Sequence, residues 1–211
     1  MAEKLNPANV INLSNAIGML IIPYTNQGGS LAVGTDTYDV TEIVADTVSI
    51  TPDDNEVNTT DAEFRDTPLF ENVTLGKVQF AATCTDFQNE MMKGIFGWTE
   101  YQAGTGTDPK AVLAPLTYQD LWCAIVVKFS NRYVLLPKVK MNSKAVLATL
   151  KTGYGEGQLA GTAYAGYINF DAASTATPTA AKTKQTTWGF IPASNGTASM
   201  DYRFLASMPT E

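Results

Sequence analysis

Residues 121–141 read LWCAIVVKFSNRYVLLPKVKM. Two runs rich in β-branched and aromatic residues flank the dipeptide Ser130-Asn131. Ser and Asn bond readily to their own backbone in reversals, so the stretch predicts a β-hairpin with arms at 121–129 and 132–136. Pro137 has no N–H to give to a ladder and predicts an edge or a bulge. Beyond it Lys138, Lys140, Asn142 and Lys144 fall on one face and Val139 and Met141 on the other, the period of a strand with one wet side. The β pattern runs on to Leu150.

Working outward, residues 76–86 predict another strand. Val78, Phe80, Ala82 and Cys84 make one face, and Lys77, Gln79, Ala81 and Thr83 the other. The period then changes. Phe87, Met91 and Ile95 recur every four residues, which predicts a helix over 86–96 with Thr85 as N-cap, Gln88 at the third position of a capping box and Gly97 as the stop. Met91 and Met92 read as packing residues of that helix. The loop YQAGTGTDPK follows at 101–110. Upstream, residues 16–24 read as a strand closed by Pro23 and the turn Asn26-Gln27-Gly28-Gly29. Residues 37–50 hold two β-like stretches, the second with Val48 and Ile50 alternating with Thr47 and Ser49. Between them and the 76–86 strand lies the acidic segment 51–74, a long loop or an extended hairpin. Loops this long in compact domains are mostly functional or disordered.

On the C-terminal side the glycines of TGYGEGQLAG, residues 152–161, read as turns leading into a strand at 161–170. Residues 171–187 carry no large apolar side chain and predict a low-complexity surface segment without a core of its own. Residues 202–205 predict a closing strand, and residues 1–15 a polar arm. No internal repeat is present. The expectation is one mainly β domain over 16–211, a β-sandwich or rolled β-barrel with one short flanking helix.

The 211 residues suffice for a core without metals or disulfides. Fourteen basic residues against twenty-one acidic ones give a net charge of −7. That argues against simple nucleic-acid binding, whose affinity comes from cations displacing phosphate counterions. Histidine is absent, which removes Ser-His-Asp and Cys-His catalysis and imidazole zinc sites. Paired carboxylates or a Lys-activated Ser need no histidine, so its absence argues against an enzyme without closing the question. Cys84 and Cys123 sit in apolar runs outside any CxxC pair and read as buried free thiols. The apolar run 16–22 is too short to span a bilayer and lacks a signal-type cleavage site, so a cytosolically made chain is expected, with its Asn-X-Ser/Thr sequons idle.

Two motifs fail on inspection. The acidic cluster Asp53, Asp54, Glu56, Asp61, Glu63 and Asp66 could suggest calcium. An EF-hand starting at Asp53, however, would place Val57 at the fifth position, Asn58 where Gly is needed and Phe64 where Glu is needed. Glycines 153, 155, 157 and 161 lack the Lys-Ser/Thr of a phosphate loop and a following helix. No catalytic residue, metal or cofactor is expected. The charge distribution says more. Between Leu121 and Gly155 stand six cations, Lys128, Arg132, Lys138, Lys140, Lys144 and Lys151, and no acid. The remainder holds eight basic and twenty-one acidic residues, a net of −13. A solvated basic sheet face is one reading. The other is complementarity between copies, with Lys138, Lys140 and Lys144 meeting Asp53, Asp54, Glu56, Asp61 and Glu63 of a neighbour, an arrangement that fixes partner and register.

The segments VSITPDDNEVNTTDAEFRDTPLFENVTLGKVQF, FQNEMMKGIFGW and KVKMNSKAVLATLKTGYGEGQLAGTAYAGYI follow one another between about residues 40 and 170. In pattern, this order resembles the major tail tube proteins of long-tailed, siphovirus-like bacteriophages. No invariant motif carries the likeness. The resemblance implies a β-sandwich or rolled barrel beside one helix, a fold shared with the type VI secretion tube protein. It implies hexameric rings that stack into a tube, with long loops and terminal arms reaching the next ring. The tube's lumen would conduct DNA during ejection without binding it specifically. Other tail proteins would be partners (tape measure, terminator, baseplate), with assembly in the host cytoplasm, a place in the virion tail and no membrane contact. Two alternatives stand beside it. One is another virion protein, such as a decoration or tail terminator sandwich. The other is a carbohydrate-binding or hydrolytic sandwich with Trp98, Tyr101, Trp122 and Trp188 as a sugar platform.

Overall fold

The computed structural model describes residues 16–27, 30–54, 56–60, 70–74, 76–85, 89–102, 110–116, 120–142, 144–146, 156–170, 177–194 and 197–209. Among them the chain forms, in order, β1 (Ala16–Gln27), β2 (Ser30–Val33), β3 (Tyr38–Val40), β4 (Ser49–Pro52), β5 (Glu56–Thr60), β6 (Phe70–Thr74), β7 (Val78–Cys84), α1 (Asn89–Gly94), β8 (Thr99–Gln102) and β9 (Lys110–Leu113). There follow β10 (Leu121–Phe129), β11 (Arg132–Met141), β12 (Lys144–Val146), β13 (Glu156–Tyr164), β14 (Gly166–Asn169), β15 (Thr183–Thr186), β16 (Gly189–Ser194), β17 (Thr197–Ala198) and β18 (Arg203–Leu205). The protein is mainly β, and every pairing is antiparallel. No helix among the described residues is long and apolar enough to cross a membrane.

The β10–β11 hairpin is the centre of the main sheet, whose strand order is β2-β1-β10-β11-β13-β7-β4. Five consecutive residues of β10, Cys123 to Val127, are shut off from solvent, so this strand has a core on each face. Burying each Ile, Val or Leu of such a strand is worth about 1.5–3 kcal/mol relative to exposure. Along β11 the apolar phase slips by one residue. Val134 and Leu136 face the first core, and so do Val139 and Met141. A bulge absorbs the slip: Cys123 pairs with Val139 but Ile125 pairs with Leu136, so Pro137 and Lys138 together oppose Ala124. The proline marks the bulge, as its missing N–H requires.

The main sheet rolls around this first core. Tyr38–Val40 pair with β1, while residues 42–44 cross to the far flank, where Thr85 N–H donates to the Glu42 carbonyl and Val44 N–H to that of Thr83, each at 2.9 Å. These bonds frame a bridge between Ile43 and Cys84, Thr83 N–H adds a bond to Thr47 Oγ1 at 3.1 Å, and the roll stops short of a closed barrel. Val78, Phe80, Ala82 and Cys84 line its inside, in the alternation that the sequence predicts. Helix α1 and the turn that follows it pack Met91, Met92, Ile95 and Phe96 into the same core. The helix ends at Gly94, two residues before the predicted end at 96; residues 86–88 lie outside the described residues. Gly97 closes the turn with φ of 71°, a left-handed conformation that glycine adopts without a Cβ penalty.

On the outer face of the roll a three-stranded sheet, β15-β14-β18, covers a second core of Tyr24, Ala124, Val126, Leu135, Ile168, Ile191 and Phe204. The chain passes from β13 into β14 beside the bulge, where a Cβ on Gly166 would lie 2.9 Å from that of Lys138 and 3.0 Å from that of Pro137. The buried Asn169 is satisfied there: its Nδ2 donates to Thr183 Oγ1 at 3.0 Å, and its Oδ1 accepts from Arg203 Nε at 3.3 Å. The result is a sandwich in which one layer is itself rolled.

Several expectations are corrected. Asn26 and Gln27 belong to β1, and the reversal falls after them, since Gln27 pairs with Ser30. Only three residues of the first stretch of 37–50 form a strand. Tyr101-Gln102 and Lys110 are not loop but the ends of the β8–β9 ribbon. Gly157 and Gly161 are not turn residues. They lie inside β13, where a Cβ on Gly157 would sit 2.8 Å from Phe96 Cζ. The segment 171–187 supplies β15 and buries Thr183. The arm 1–15 lies outside the described residues.

Candidate interaction surface

The three-stranded sheet covers only part of the roll's outer face. The rest is a wet flank built by alternation. On β11, Val139 and Met141 point inward, so Lys138 and Lys140 point outward, beside Trp122 of β10 and opposite Tyr164 and Thr162 of β13. The sequence places these two lysines on one face and the structure agrees. Lys144 follows in β12, its side chain outside the described residues.

The flank is less basic than the sequence implies, because the fold imports acids from elsewhere in the chain. Asp120 Oδ2 lies 2.6 Å from Lys140 Nζ, and Asp39 Oδ1 lies 3.1 Å from Lys128 Nζ. The hydrogen bond that Lys140 donates to Asp120, and then the charge of that carboxylate, hold the Lys140 ammonium above its ordinary pKa. The other cations lean on rings. Lys138 Nζ stands 5.1 Å above Trp122, which packs against Tyr164 at 5.2 Å between centroids, and the Arg132 guanidinium stands 5.0 Å over Phe190. Such contacts hold a cation in place without neutralising it.

The acidic segment emerges from the same face. Asp53 N–H donates to the Lys77 carbonyl at 2.7 Å, and its Oδ2 accepts from Gln79 Nε2 at 3.2 Å. Gln79 Oε1 in turn accepts from Thr162 Oγ1 at 3.2 Å. Asp53 is therefore tied into a polar ladder on its own sheet, next to the strand that carries Lys140. Asp54 is exposed. Glu56 begins β5, which pairs with β6 from Glu56 opposite Thr74 to Thr60 opposite Phe70. Of the alternatives for 51–74, the extended hairpin is what forms. The side chain of Glu56, and Asp61, Glu63 and Asp66 entirely, lie outside the described residues. The fold thus joins one predicted acid, Asp53, to the flank that carries Lys138 and Lys140, and leaves Asp54 exposed.

A second ribbon was not legible as a surface feature. Among the described residues β8 and β9 pair only with each other, and their register puts Thr99, Tyr101, Ala111 and Leu113 on one face. Tyr101 is 58% exposed, Leu113 50% and the nearby Leu116 fully so. The opposite face carries Glu100, held by Lys93 of α1 at 2.8 Å. The alternation of Thr99, Tyr101 and then Leu113 was the available signal. The predicted sugar platform is not assembled: Trp98 packs against the first core, inside the roll, and Trp122 against the second, outside it. Cys84 and Cys123 are buried free thiols, as expected.

No protein-family model, no curated protein and no solved structure matches the chain.

Proposed function

We propose that the protein is a structural subunit of a bacteriophage tail tube, one that forms hexameric rings, stacks them and leaves a lumen for DNA. It works through its interfaces, together with tape measure, terminator and baseplate proteins, in the tail of the virion, and catalyses no reaction. The observation that carries this reading is the pair of two-stranded ribbons, β5–β6 and β8–β9. Among the described residues each forms a two-stranded sheet of its own, outside the main sheet and the three-stranded sheet. The second presents Tyr101, Leu113 and Leu116 to solvent, apolar area suited to a neighbouring copy. The order of the sequence features supports the same assignment.

Negative-stain images of the purified full chain test it: six-membered rings or tubes are expected. A protein that stays monomeric at every concentration would overturn the reading, and closed rings that never stack would favour a terminator. Lys138→Glu, Lys140→Glu and Lys144→Glu together should weaken assembly. Unchanged rings in that variant would remove the role given to the basic flank while leaving the ribbons in place.

A further inference from the structure

An apolar groove of about 290 Å³ runs along the outer face of β1, floored by Leu20 and Ile22 and walled by Val33, Thr37, Tyr202 and Phe204. Its volume is at the lower limit for a small-molecule site and suits a few aliphatic side chains. Gly34 keeps one side of it open. Its N–H donates to the Pro23 carbonyl at 2.9 Å, and a Cβ there would collide with that same oxygen. The chain also carries a projection of matching chemistry. Leu113 is half-exposed and Leu116 fully exposed, with the exposed Ala114 between them. Full exposure means that Leu116 does not enter the groove of its own chain. The ribbon that leads to it is rooted elsewhere: Trp98 at its foot packs against the first core, inside the roll, whereas the groove lies beside the second core, outside it.

We infer that Leu113 and Leu116 of one copy seat in the β1 groove of the next. The inference rests on the reading above that copies assemble, and it names the two surfaces that meet. Groove and projection are different parts of the chain, so the contact is head-to-tail. A copy that receives a projection still offers its own, and the series ends only by closing into a ring. Area decides why closure is needed. The two leucines and Tyr101 bury on the order of a few hundred Å², whereas a stable pair of proteins needs roughly 1,000 Å². One such contact does not hold an isolated dimer. In a ring each copy makes it twice, once as donor and once as acceptor, and the last contact to form is intramolecular.

Cross-linking of the full chain with a short bismaleimide tests it. Ala114→Cys puts a thiol between the two leucines, and Thr37→Cys puts one at the rim of the groove. Both positions are exposed, and the native Cys84 and Cys123 are buried. An equimolar mixture of the two variants should give a covalent dimer of unlike chains, and neither variant alone should give a dimer. Adding Leu116→Asp to the Ala114→Cys chain should lower the yield about tenfold or more, since burying one leucine is worth that much. A mixture that yields no unlike dimer overturns the inference. So does a dimer from either variant alone, or an internal cross-link within one chain that carries both cysteines. Negative-stain images of the same samples keep the two readings apart. Rings without the unlike dimer overturn this contact and leave the tube reading standing, and the absence of both overturns both.

Discussion

Removing one hydroxyl, in Tyr24→Phe, tests how the bulge is held. Tyr24 is buried, and its hydroxyl donates to the Pro137 carbonyl at 2.6 Å, where the β10–β11 ladder is interrupted. The variant loses a hydrogen bond worth about 0.5–1.5 kcal/mol and leaves a buried carbonyl unsatisfied, for a total cost of about 1–3 kcal/mol. The same site makes a second, independent demand. Burial first, and then the charge of Cys123, push the Tyr24 phenol from its ordinary 10 up to about 12. A phenol whose folded pKa lies above its unfolded one stabilises fully below pH 10, and the contribution is lost as pH rises towards 12. At 1.36 kcal/mol per unit, on the order of 2–3 kcal/mol disappears across that window in wild type and not in Tyr24→Phe. Tyr202, raised to about 12 mainly by burial, titrates in both proteins and cancels in the comparison. Urea unfolding followed by tryptophan fluorescence should show the variant less stable near pH 8 and the gap closing above pH 10. A gap that is already absent near pH 8, or one that stays constant through the window, would refute the account.

Gly157→Ala places a Cβ 2.8 Å from Phe96 Cζ and 2.9 Å from Cys84 Sγ. Overpacking of about 1–3 kcal/mol should lower the melting temperature by about 2–12 °C, read by calorimetry. Asn169→Ala strands Thr183 and Arg203, partners at 3.0 and 3.3 Å, and should cost about 2–3 kcal/mol in urea unfolding. Cys123 is buried, and burial pushes its thiol well above the usual range. Alkylation by iodoacetamide near pH 8 should therefore be about a hundredfold or more slower in the folded protein than in urea; mass spectrometry showing equal rates would contradict the placement of β10.

The elements that could be read in the sequence are those whose cause is local. The arms of β10 and β11 announce themselves by composition, β7 by strict alternation, and the bulge by a proline at the point where the apolar phase slips. What escaped depends on residues far apart in the chain. Gly157 and Gly161 look like punctuation because glycine usually is, yet Gly157 is small to admit Phe96, brought in by a helix some sixty residues earlier. β15 forms although its Thr-Lys-Gln-Thr run offers no apolar side chain, because backbone pairing with β14 and the buried Thr183 bond to Asn169 suffice. The basic block shows no acid along the chain, but Asp39 and Asp120 arrive through strand pairing and the approach to β10.

That last point changes what the proposed interface would have to do. A neighbour's carboxylate meeting Lys140 would displace Asp120, an exposed partner already 2.6 Å away. Exchanging one exposed ion pair for another gains little, and what it gains is screened by salt. Asp53 is committed to Gln79, so of the acids assigned to this interface Asp54 is the one that the described residues leave exposed. Charge across such an interface selects the partner and the register, and the binding energy has to come from apolar area. The ribbon face of Tyr101 and Leu113, with Leu116 beside it, is exposed area of that kind, and it sits on an element whose other face is anchored through Glu100 to Lys93. Rings held this way would persist in concentrated salt while losing their discrimination between partners. They would come apart when Tyr101 and Leu113 are made polar, although neither residue supports the fold. Salt resistance and sensitivity at the ribbon together distinguish this arrangement from one held by the lysine flank alone.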